Sequence, residues 1–210
     1  MLRILIADDH TVVRLGIKQI LTGAFPFALI EEVTDAEDLL KKVIREVWDV
    51  VISDISMPGR SGLEILQEIR RSHPKLPVLI LSMYSEAHYG LRVMKAGASG
   101  YLNKDMAATE LINAVNRVLT GKKYITPSIA EKLAVSFDKN SENLPHENLS
   151  DREFEVFKLI ANGIAVSEIA DKLSLSVTTV STYRARIMDK MCLKSNADLT
   201  RYAFENKLIE

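Results

Sequence analysis

Short apolar runs alternate with longer amphipathic segments over the first 120 residues of the chain. The runs are rich in β-branched residues and predict strands, whereas the apolar spacing of the longer segments is typical of helices. Strands are predicted at 2–7, 28–33, 50–53, 78–81 and 100–102, with helices near 11–22, 36–47, 62–72, 86–96 and 107–120. This alternation predicts an α/β fold with a five-stranded, doubly wound parallel sheet.

The pattern weakens beyond residue 121 and returns as a purely helical one. Residues 122–148 contain a polar run and one candidate short helix, so we predict a linker between a first domain at 1–121 and a second at 149–210. Ser150 and Glu153 have the spacing of a capping box at a helix start. Helices are predicted at 151–161, 167–173, 177–192 and 197–206, and the middle pair forms a helix-turn-helix.

Composition narrows the class of protein. The chain has 210 residues with 27 Lys and Arg against 28 Asp and Glu, a net charge of -1. This balance gives no protein-wide attraction to nucleic acid or membranes, so such a partner must be argued from a local surface. The single cysteine excludes a disulfide-stapled secreted fold, and no apolar run reaches the roughly 18 residues of a membrane span. We therefore expect a soluble, cytoplasmic protein without a membrane partner.

Polar side chains stand at the carboxyl ends of the predicted strands. In an open parallel sheet, ligands bind at this edge, at the point where the strand order reverses. Because these ends meet at one edge, the side chains are expected to lie close together. The residues at this edge are Asp8 and Asp9 after the first strand, Asp54 after the third, Ser82 after the fourth, and Tyr101 and Lys104 at the fifth.

Three carboxylates in one place raise each other's pKa and oppose folding unless a cation neutralises them. Carboxylate oxygens suit Mg²⁺, and a carboxylate-held Mg²⁺ with open coordination positions is typical of phosphoryl transfer. In this interpretation Asp54 is the nucleophile and forms an acyl phosphate. Each residue taken alone also has a plainer interpretation, as a helix cap, a strand end or a solvated lysine.

The set resembles the receiver domain of two-component response regulators over residues 1 to about 120. The resemblance rests on the acidic pair, on Asp54 followed by Met57-Pro58-Gly59, on Ser82, and on Tyr101-x-x-Lys104. It implies a flavodoxin-like fold in which Asp54 is the phosphoacceptor.

The resemblance also implies a role for each residue at the edge. Asp9, Asp54 and the Ser56 carbonyl would hold Mg²⁺, and Asp8 would orient the metal shell. Lys104 would contact the phosphoryl group. Ser82 would move to hydrogen-bond that group, and Tyr101 would turn inward into the vacated space, which converts a local charge into a surface rearrangement.

The predicted helix 177–192 has two contrasting faces. Its apolar stripe, Val177, Val180, Ile187 and Met191, is expected to pack on the domain core. The opposite face presents small or hydrogen-bonding side chains and one guanidinium, which can reach base edges or phosphates in a major groove. The candidate DNA-contacting residues on and beside this helix are Thr178, Thr179, Ser181, Thr182, Arg184, Arg186, Lys190 and Lys194. Because 149–210 carry nine basic and nine acidic residues, the residues alone leave open a domain that binds another protein instead.

The second domain resembles the LuxR-type DNA-binding domain over residues 149–210. The resemblance rests on Leu149-Ser150-x-Arg152-Glu153, Glu168-Ile169-Ala170 and Leu175-Ser176-x-x-Thr179-Val180. A receiver followed by this domain is the arrangement of response regulators of the NarL/FixJ type. The chain departs from the family pattern at Thr178 and Ser181, where basic residues are common, and this departure bears on the operator sequence and the salt dependence.

Together the two resemblances imply a transcription regulator and not an enzyme. A sensor histidine kinase would phosphorylate Asp54, and phosphorylation would favour a homodimer that binds promoter DNA. Leu199 and Tyr202, at helical spacing in 197–206, are the expected dimer contact. An enzymatic alternative is a Mg²⁺-dependent phosphatase with an aspartyl phosphate intermediate. Such enzymes commonly carry an Asp general acid two residues after the nucleophile, where this chain has Ser56.

Overall fold

The structure is a computed structural model that describes residues 1–57, 60–137 and 144–209 of the chain. The polypeptide forms two compact units, Met1–Lys139 and Asn140–Glu210. Among the described residues, no helix combines the length and the apolar character needed to cross a membrane. Pro58 and Gly59 of the receiver-like motif, and the polar run 138–143 of the predicted linker, lie outside the described residues.

The first unit is a parallel sheet with helices on both faces. The sheet has the strand order β2-β1-β3-β4-β5, and every neighbouring pair is parallel, which confirms the predicted doubly wound α/β fold. The elements in chain order are β1 (Arg3–Ala7), α1 (Thr11–Ala24), β2 (Leu29–Val33), α2 (Ala36–Arg45), β3 (Val50–Asp54), α3 (Gly62–Ser72), β4 (Val78–Ser82), α4 (Glu86–Lys95), β5 (Gly100–Asn103), α5 (Ala107–Leu119) and α6 (Pro127–Phe137), with a 3₁₀ turn at Lys104–Met106.

The strand sequences explain the position of the core. Strands β3 and β4 are buried at every residue, because helices cover both faces of the sheet and demand apolar side chains on each. The strand order reverses between β1 and β3, where Ala7 pairs with Ser53. The next residues along the two strands, Asp8 and Asp54, therefore stand side by side at the carboxyl edge.

The first half of the predicted linker packs on this unit. Tyr124 forms a parallel bridge with Gly100 at the outer edge of β5, and its N–H donates to the Ser99 carbonyl at 2.8 Å. Helix α6 packs against α4, and the close approach depends on a glycine. A Cβ at Gly90 would lie 2.8 Å from Cγ1 of the fully buried Ile129.

The regular elements of the second unit are all helical over 144–209, the part of it that the structure describes. It consists of a 3₁₀ turn at Pro145–Asn148 and the helices α7 (Asp151–Ala161), α8 (Val166–Leu173), α9 (Val177–Met191) and α10 (Asn196–Glu205). Helix α8 ends at Ser174 in the left-handed conformation, and the tight turn that follows leads into α9, as predicted for a helix-turn-helix. The buried side chains that join the four helices include Phe154, Phe157, Ile169, Val180, Ile187 and Leu199.

The capping box at the start of α7 is present and extends to a neighbouring helix. The Ser150 hydroxyl accepts from the Glu153 N–H, and a Glu153 carboxylate oxygen accepts from the Ser150 N–H at 2.7 Å. The same oxygen lies 2.6 Å from Nζ of Lys190 in α9. Burial works to raise the pKa of Glu153, but the contacts with Lys190 and Ser150 prevail and lower it. The ionised carboxylate therefore ties the start of α7 to α9.

We expect Glu153→Gln to lower the free energy of unfolding of the second unit by about 2 kcal/mol at pH 7, because it weakens charge-assisted hydrogen bonds. A lowered pKa in the folded state gives stability that is present above the pKa of the unfolded chain and is lost as the pH falls. The difference between wild type and variant should therefore narrow below the ordinary glutamate pKa of 4.5. Urea unfolding followed through amide NMR signals of α7–α10 at pH 7 and pH 4 measures it. The exposed Glu168 in α8 gives the matched control, Glu168→Gln, and an equal effect of the two changes would contradict the prediction.

Candidate functional site

A buried ammonium group lies between two buried carboxylates at the carboxyl edge of the sheet. Nζ of Lys104 is 2.6 Å from Oδ2 of Asp54 and 2.8 Å from Oδ2 of Asp8. The Lys104 side chain is only 6 % exposed, so the alternative of a solvated lysine is wrong. The 3₁₀ turn after β5 turns this side chain over the ends of β1 and β3.

Burial and neighbouring charges shift the pKa values of Asp54 and Lys104. Burial raises the pKa of Asp54, and the neighbouring Asp8 raises it further, against the opposing effect of Lys104. Burial alone would lower the pKa of Lys104, but the Asp54 and Asp8 carboxylates raise it. Lys104 contacts two of the three carboxyl groups at this edge, Asp8 and Asp54, and its single positive charge cannot neutralise all three.

The donor set fits a hard divalent cation. One ligand atom from each of Asp8, Asp9, His10 and Asp54 can be chosen so that all lie within 4.8 Å of one another. Oδ1 of Asp9 is buried and accepts no well-aligned hydrogen bond among the described residues, although it lies 2.7 Å from Nδ1 of His10. Carboxylate oxygens with unused lone pairs are the ligands that Mg²⁺ prefers. Ser56 lies beside them, and its N–H donates to Oδ1 of Asp54 at 3.2 Å.

His10 belongs to this site, although the four histidines of the sequence have no spacing typical of metal ligands. Its side chain is 64 % exposed, and its Nδ1 faces Asp9 at 2.7 Å and Oδ1 of Asp8 at 3.4 Å. The main-chain N–H of His10 donates to Oδ1 of Asp8 at 2.8 Å, so the residue holds that carboxylate in place. It stands at the N-cap of α1 but makes no side-chain capping bond. Direct adjacency to the acidic pair is the sequence signal that could have found it.

Ser82 and Tyr101 meet at the main chain of Tyr84. The Ser82 hydroxyl accepts from the Tyr84 N–H at 3.1 Å, and the Tyr101 hydroxyl donates to the Tyr84 carbonyl at 2.6 Å. Asn103, which sequence reasoning missed, donates to the same carbonyl at 3.3 Å. Tyr101 is fully buried, and this burial raises its pKa. Its ring is therefore already inward in this structure.

The second candidate surface is the exposed face of α9. Val180, Ile187 and Met191 of the predicted apolar stripe are buried, but Val177 is 52 % exposed. The expectation for Val177 is wrong because this residue lies in the first turn of α9, directly after its Ser176 cap. Four of the candidate DNA-contacting residues on this helix are exposed together: Thr178, Ser181, Thr182 and Arg186.

Three other candidates on α9 are engaged within the second unit. The Thr179 hydroxyl lies 2.7 Å from that of Ser176 in the helix cap. Nε of Arg184 donates to Asn196 at 2.8 Å, and Lys190 binds Glu153 as described above. Lys194, after the end of α9, is exposed. These contacts give Thr179, Arg184 and Lys190 structural roles that any contact with DNA would have to share or replace.

The expected dimer contact needs correction. Leu199 is fully buried in the core of its own unit, so it is not available to a second copy. Tyr202 is half-buried, and its hydroxyl lies 2.9 Å from Nδ1 of His146. Helical spacing identified the apolar stripe of α10, but α7 rather than a partner covers it. The exposed face of α10 carries Ala197, Thr200 and Phe204 instead.

We expect Lys104→Met to destabilise the metal-free first unit by about 3 kcal/mol, because it leaves two buried carboxylates without their cation. Urea unfolding followed by the fluorescence of Trp48, the only tryptophan in the sequence, measures this change. The exposed Lys41, whose ion pair with Asp38 lies on the surface, provides the control Lys41→Met, which should leave the urea midpoint nearly unchanged. Equal effects of the two substitutions would show that the buried pair is not needed for stability.

Two family models match the chain, one in each unit. Residues 4–116 match the response regulator receiver domain, and residues 147–203 match the bacterial regulatory proteins of the luxR family. The first match contains the acidic edge, and the second contains the helix-turn-helix.

Two known proteins are similar to this one over its full length. The response regulator GacA of Pseudomonas aeruginosa is 36 % identical over 211 residues, covering 100 % of this chain and 99 % of that protein. The oxygen regulatory protein NreC of Staphylococcus carnosus is 40 % identical over 216 residues and is matched over the full length of both proteins.

Solved structures are also similar over nearly the full chain. RcsB from Salmonella enterica serovar Typhimurium, bound to promoter rprA in the presence of the phosphomimetic BeF3-, has a TM-score of 0.64 and 28 % identity, covering 96 % of this chain and 98 % of that one. A structure of two RcsB dimers bound to two parallel DNAs has a TM-score of 0.58 and 29 % identity, covering 96 % and 97 %. The chain is therefore a response regulator of the NarL/FixJ type, a receiver domain followed by a LuxR-type DNA-binding domain.

Proposed function

We propose that Asp54 is the phosphoacceptor and that a sensor histidine kinase is the donor. A carboxylate oxygen of Asp54 bonds to phosphorus as the phosphorus–nitrogen bond of the kinase's phosphohistidine breaks, and the imidazole leaves with the electron pair. The observation that carries the proposal is the position of Asp54. Its carboxylate lies 2.6 Å from a buried ammonium, at an edge shared with two more carboxyl groups.

The residues around Asp54 have complementary roles in this proposal. Asp9, Asp54 and the Ser56 carbonyl would hold Mg²⁺, which supplies charge neutralisation for the phosphoryl oxygens. Asp8 orients the metal shell while keeping its contact with Lys104. The Lys104 ammonium shifts from the free carboxylate to the phosphoryl group and compensates the added negative charge.

Ser82 and Tyr101 carry the local signal away from Asp54. To donate to the phosphoryl group the Ser82 hydroxyl must move, and this movement disturbs the hydrogen bond that it accepts from the Tyr84 N–H. Tyr84 is held from the other side by Tyr101, so a change at Ser82 alters the connection between β4 and α4. This rearrangement shifts an existing equilibrium toward the active form of the regulator.

The output of the proposed switch is promoter binding by a homodimer in the cytoplasm. The exposed Thr178, Ser181, Thr182 and Arg186 offer hydrogen-bond donors and a guanidinium on one face of α9. Among the structural neighbours, RcsB is bound to promoter rprA in one structure, and another contains two RcsB dimers bound to two parallel DNAs. We place the dimer contact of the second unit on the exposed face of α10, where Phe204 is 68 % exposed.

We expect acetyl phosphate with Mg²⁺ to add one base-labile phosphoryl group to the wild-type protein and none to Asp54→Asn, as read by intact mass. The exposed Asp105 lies beside the same edge, so Asp105→Asn is the matched control and should react like wild type. An adduct on Asp54→Asn, or none on the wild type, would exclude Asp54 as the phosphoacceptor.

We expect Arg186→Gln to weaken binding to duplex DNA about tenfold, because one cationic contact is lost. The negative slope of log affinity against log salt should become less steep by about one. Lys207→Gln removes the same charge from an exposed position after α10 and should change affinity less than about twofold. Fluorescence anisotropy over a salt series gives both quantities. Indistinguishable variants would mean that α9 does not face the DNA, and no binding at low salt would favour a protein partner.

A further inference from the structure

Two contacts among the described residues hold the start of α6 against the first two turns of α4. The Thr126 hydroxyl, at the start of α6, is hydrogen-bonded to the Glu86 carboxylate at the start of α4. One turn further along both helices, the buried side chain of Ile129 fills the space that a Cβ at Gly90 would need. Packed interiors have little free space, so a displacement of this turn of α4 cannot be absorbed at the contact.

The residues before α6 are anchored elsewhere. Tyr124 bridges to Gly100 of β5, and its hydroxyl donates to the Glu110 carboxylate of α5 at 3.1 Å. Nζ of Lys123 donates to the Ala98 carbonyl at 3.1 Å. The chain is therefore fixed to the sheet edge up to Tyr124, whereas α4 is the main element against which α6 packs. A movement of α4 would act on α6 and leave the segment before it in place.

The other side of the same turn of α4 reaches the acidic edge. The ring of Tyr89 stacks on that of Tyr84, with ring centroids 4.5 Å apart. The main chain of Tyr84 is held by Ser82, at the carboxyl end of β4, and by Tyr101 of β5. Ser82 thus contacts Tyr84, and Tyr84 contacts Tyr89. The next residue in α4, Gly90, contacts Ile129 of α6.

We propose that phosphorylation of Asp54 releases α6 from α4. The coupling rests on the proposed function and specifies its regulation: the rearrangement at Tyr84 shifts the first turn of α4, breaks the Glu86–Thr126 hydrogen bond and expels Ile129 from the space at Gly90. The helix that precedes the DNA-binding unit is docked in the unphosphorylated protein and undocked in the phosphorylated one. The α4 surface that it covers becomes exposed at the same time.

Hydrogen exchange of residues 127–137 in the full chain, read by mass spectrometry, tests the coupling. Phosphorylation of the wild type should raise exchange in this segment about tenfold, the effect expected from the loss of one hydrogen bond with its packing, and should leave β1 and β3 unchanged. Gly90→Ala should raise it at least as much without phosphorylation, because the added Cβ overlaps Ile129. Gly16→Ala is the matched control, since a Cβ at this helical glycine of α1 meets nothing within 4 Å.

Thr126→Val is the second variant, in case Gly90→Ala disturbs folding of the whole unit as judged by Trp48 fluorescence. It removes the hydroxyl bonded to Glu86 and should also raise exchange in 127–137 without phosphorylation. Unchanged exchange in a fully phosphorylated wild type overturns the coupling and leaves Asp54 as phosphoacceptor intact. Unchanged exchange in both unphosphorylated variants overturns the docking contact itself. If acetyl phosphate gives no adduct, the proposed function fails, and the coupling fails with it.

Discussion

The interaction on which the rest of the structure depends is the ammonium of Lys104 held between the carboxylates of Asp54 and Asp8. Burying these groups costs free energy that hydrophobic residues of the same volume would not. The doubly wound topology brings them together, because β1 and β3 are neighbours in the sheet and end at the same edge. A cluster of this kind leaves excess carboxylate oxygens with unused lone pairs, and a bound cation would stabilise it.

The edge is also where the local chemistry meets the rest of the first unit. Ser82 and Tyr101 both hydrogen-bond to the main chain of Tyr84, which leads directly into α4. Helix α4 in turn supports α6, whose docking depends on the absence of a side chain at Gly90. Close packing along this route makes a small change at one end a discrete change at the other, since packed contacts are either kept or broken. The helical unit has its own core and its own tie between α7 and α9, through Glu153 and Lys190.

Periodicity predicted the fold well because both units bury one face of each regular element. The strands and helices lie within a few residues of their predicted positions, and the converging edge residues followed from topology once the sheet was assumed parallel. Periodicity could not assign partners to apolar stripes. Leu199 has the spacing of a contact surface, but the stripe is covered by α7 within the same unit.

Other features of the site needed three-dimensional structure. Asn103 acts through a main-chain carbonyl, which no residue pattern marks in advance. His10 acts through the Asp8 carboxylate, and only its adjacency to the acidic pair marks it in the sequence. Gly90 matters because Ile129 of α6, nearly forty residues further along the chain, packs against it. Nothing in the sequence indicates this contact, since the composition around α6 is typical of a linker. Sequence spacing therefore identified the charged groups at the edge but not the contacts that hold them and transmit their state.

If the acidic edge binds a cation, the stability of the first unit toward urea depends on Mg²⁺. Urea unfolding of the wild type, followed by Trp48 fluorescence, should show stabilisation of about 2.7 kcal/mol when Mg²⁺ is present at a hundred times its dissociation constant. Asp9→Asn should be at least as stable as the wild type without Mg²⁺ and should lose most of the gain at the same concentration. Equal stabilisation of the two proteins by Mg²⁺ would show that the cation binds elsewhere and not at the acidic edge.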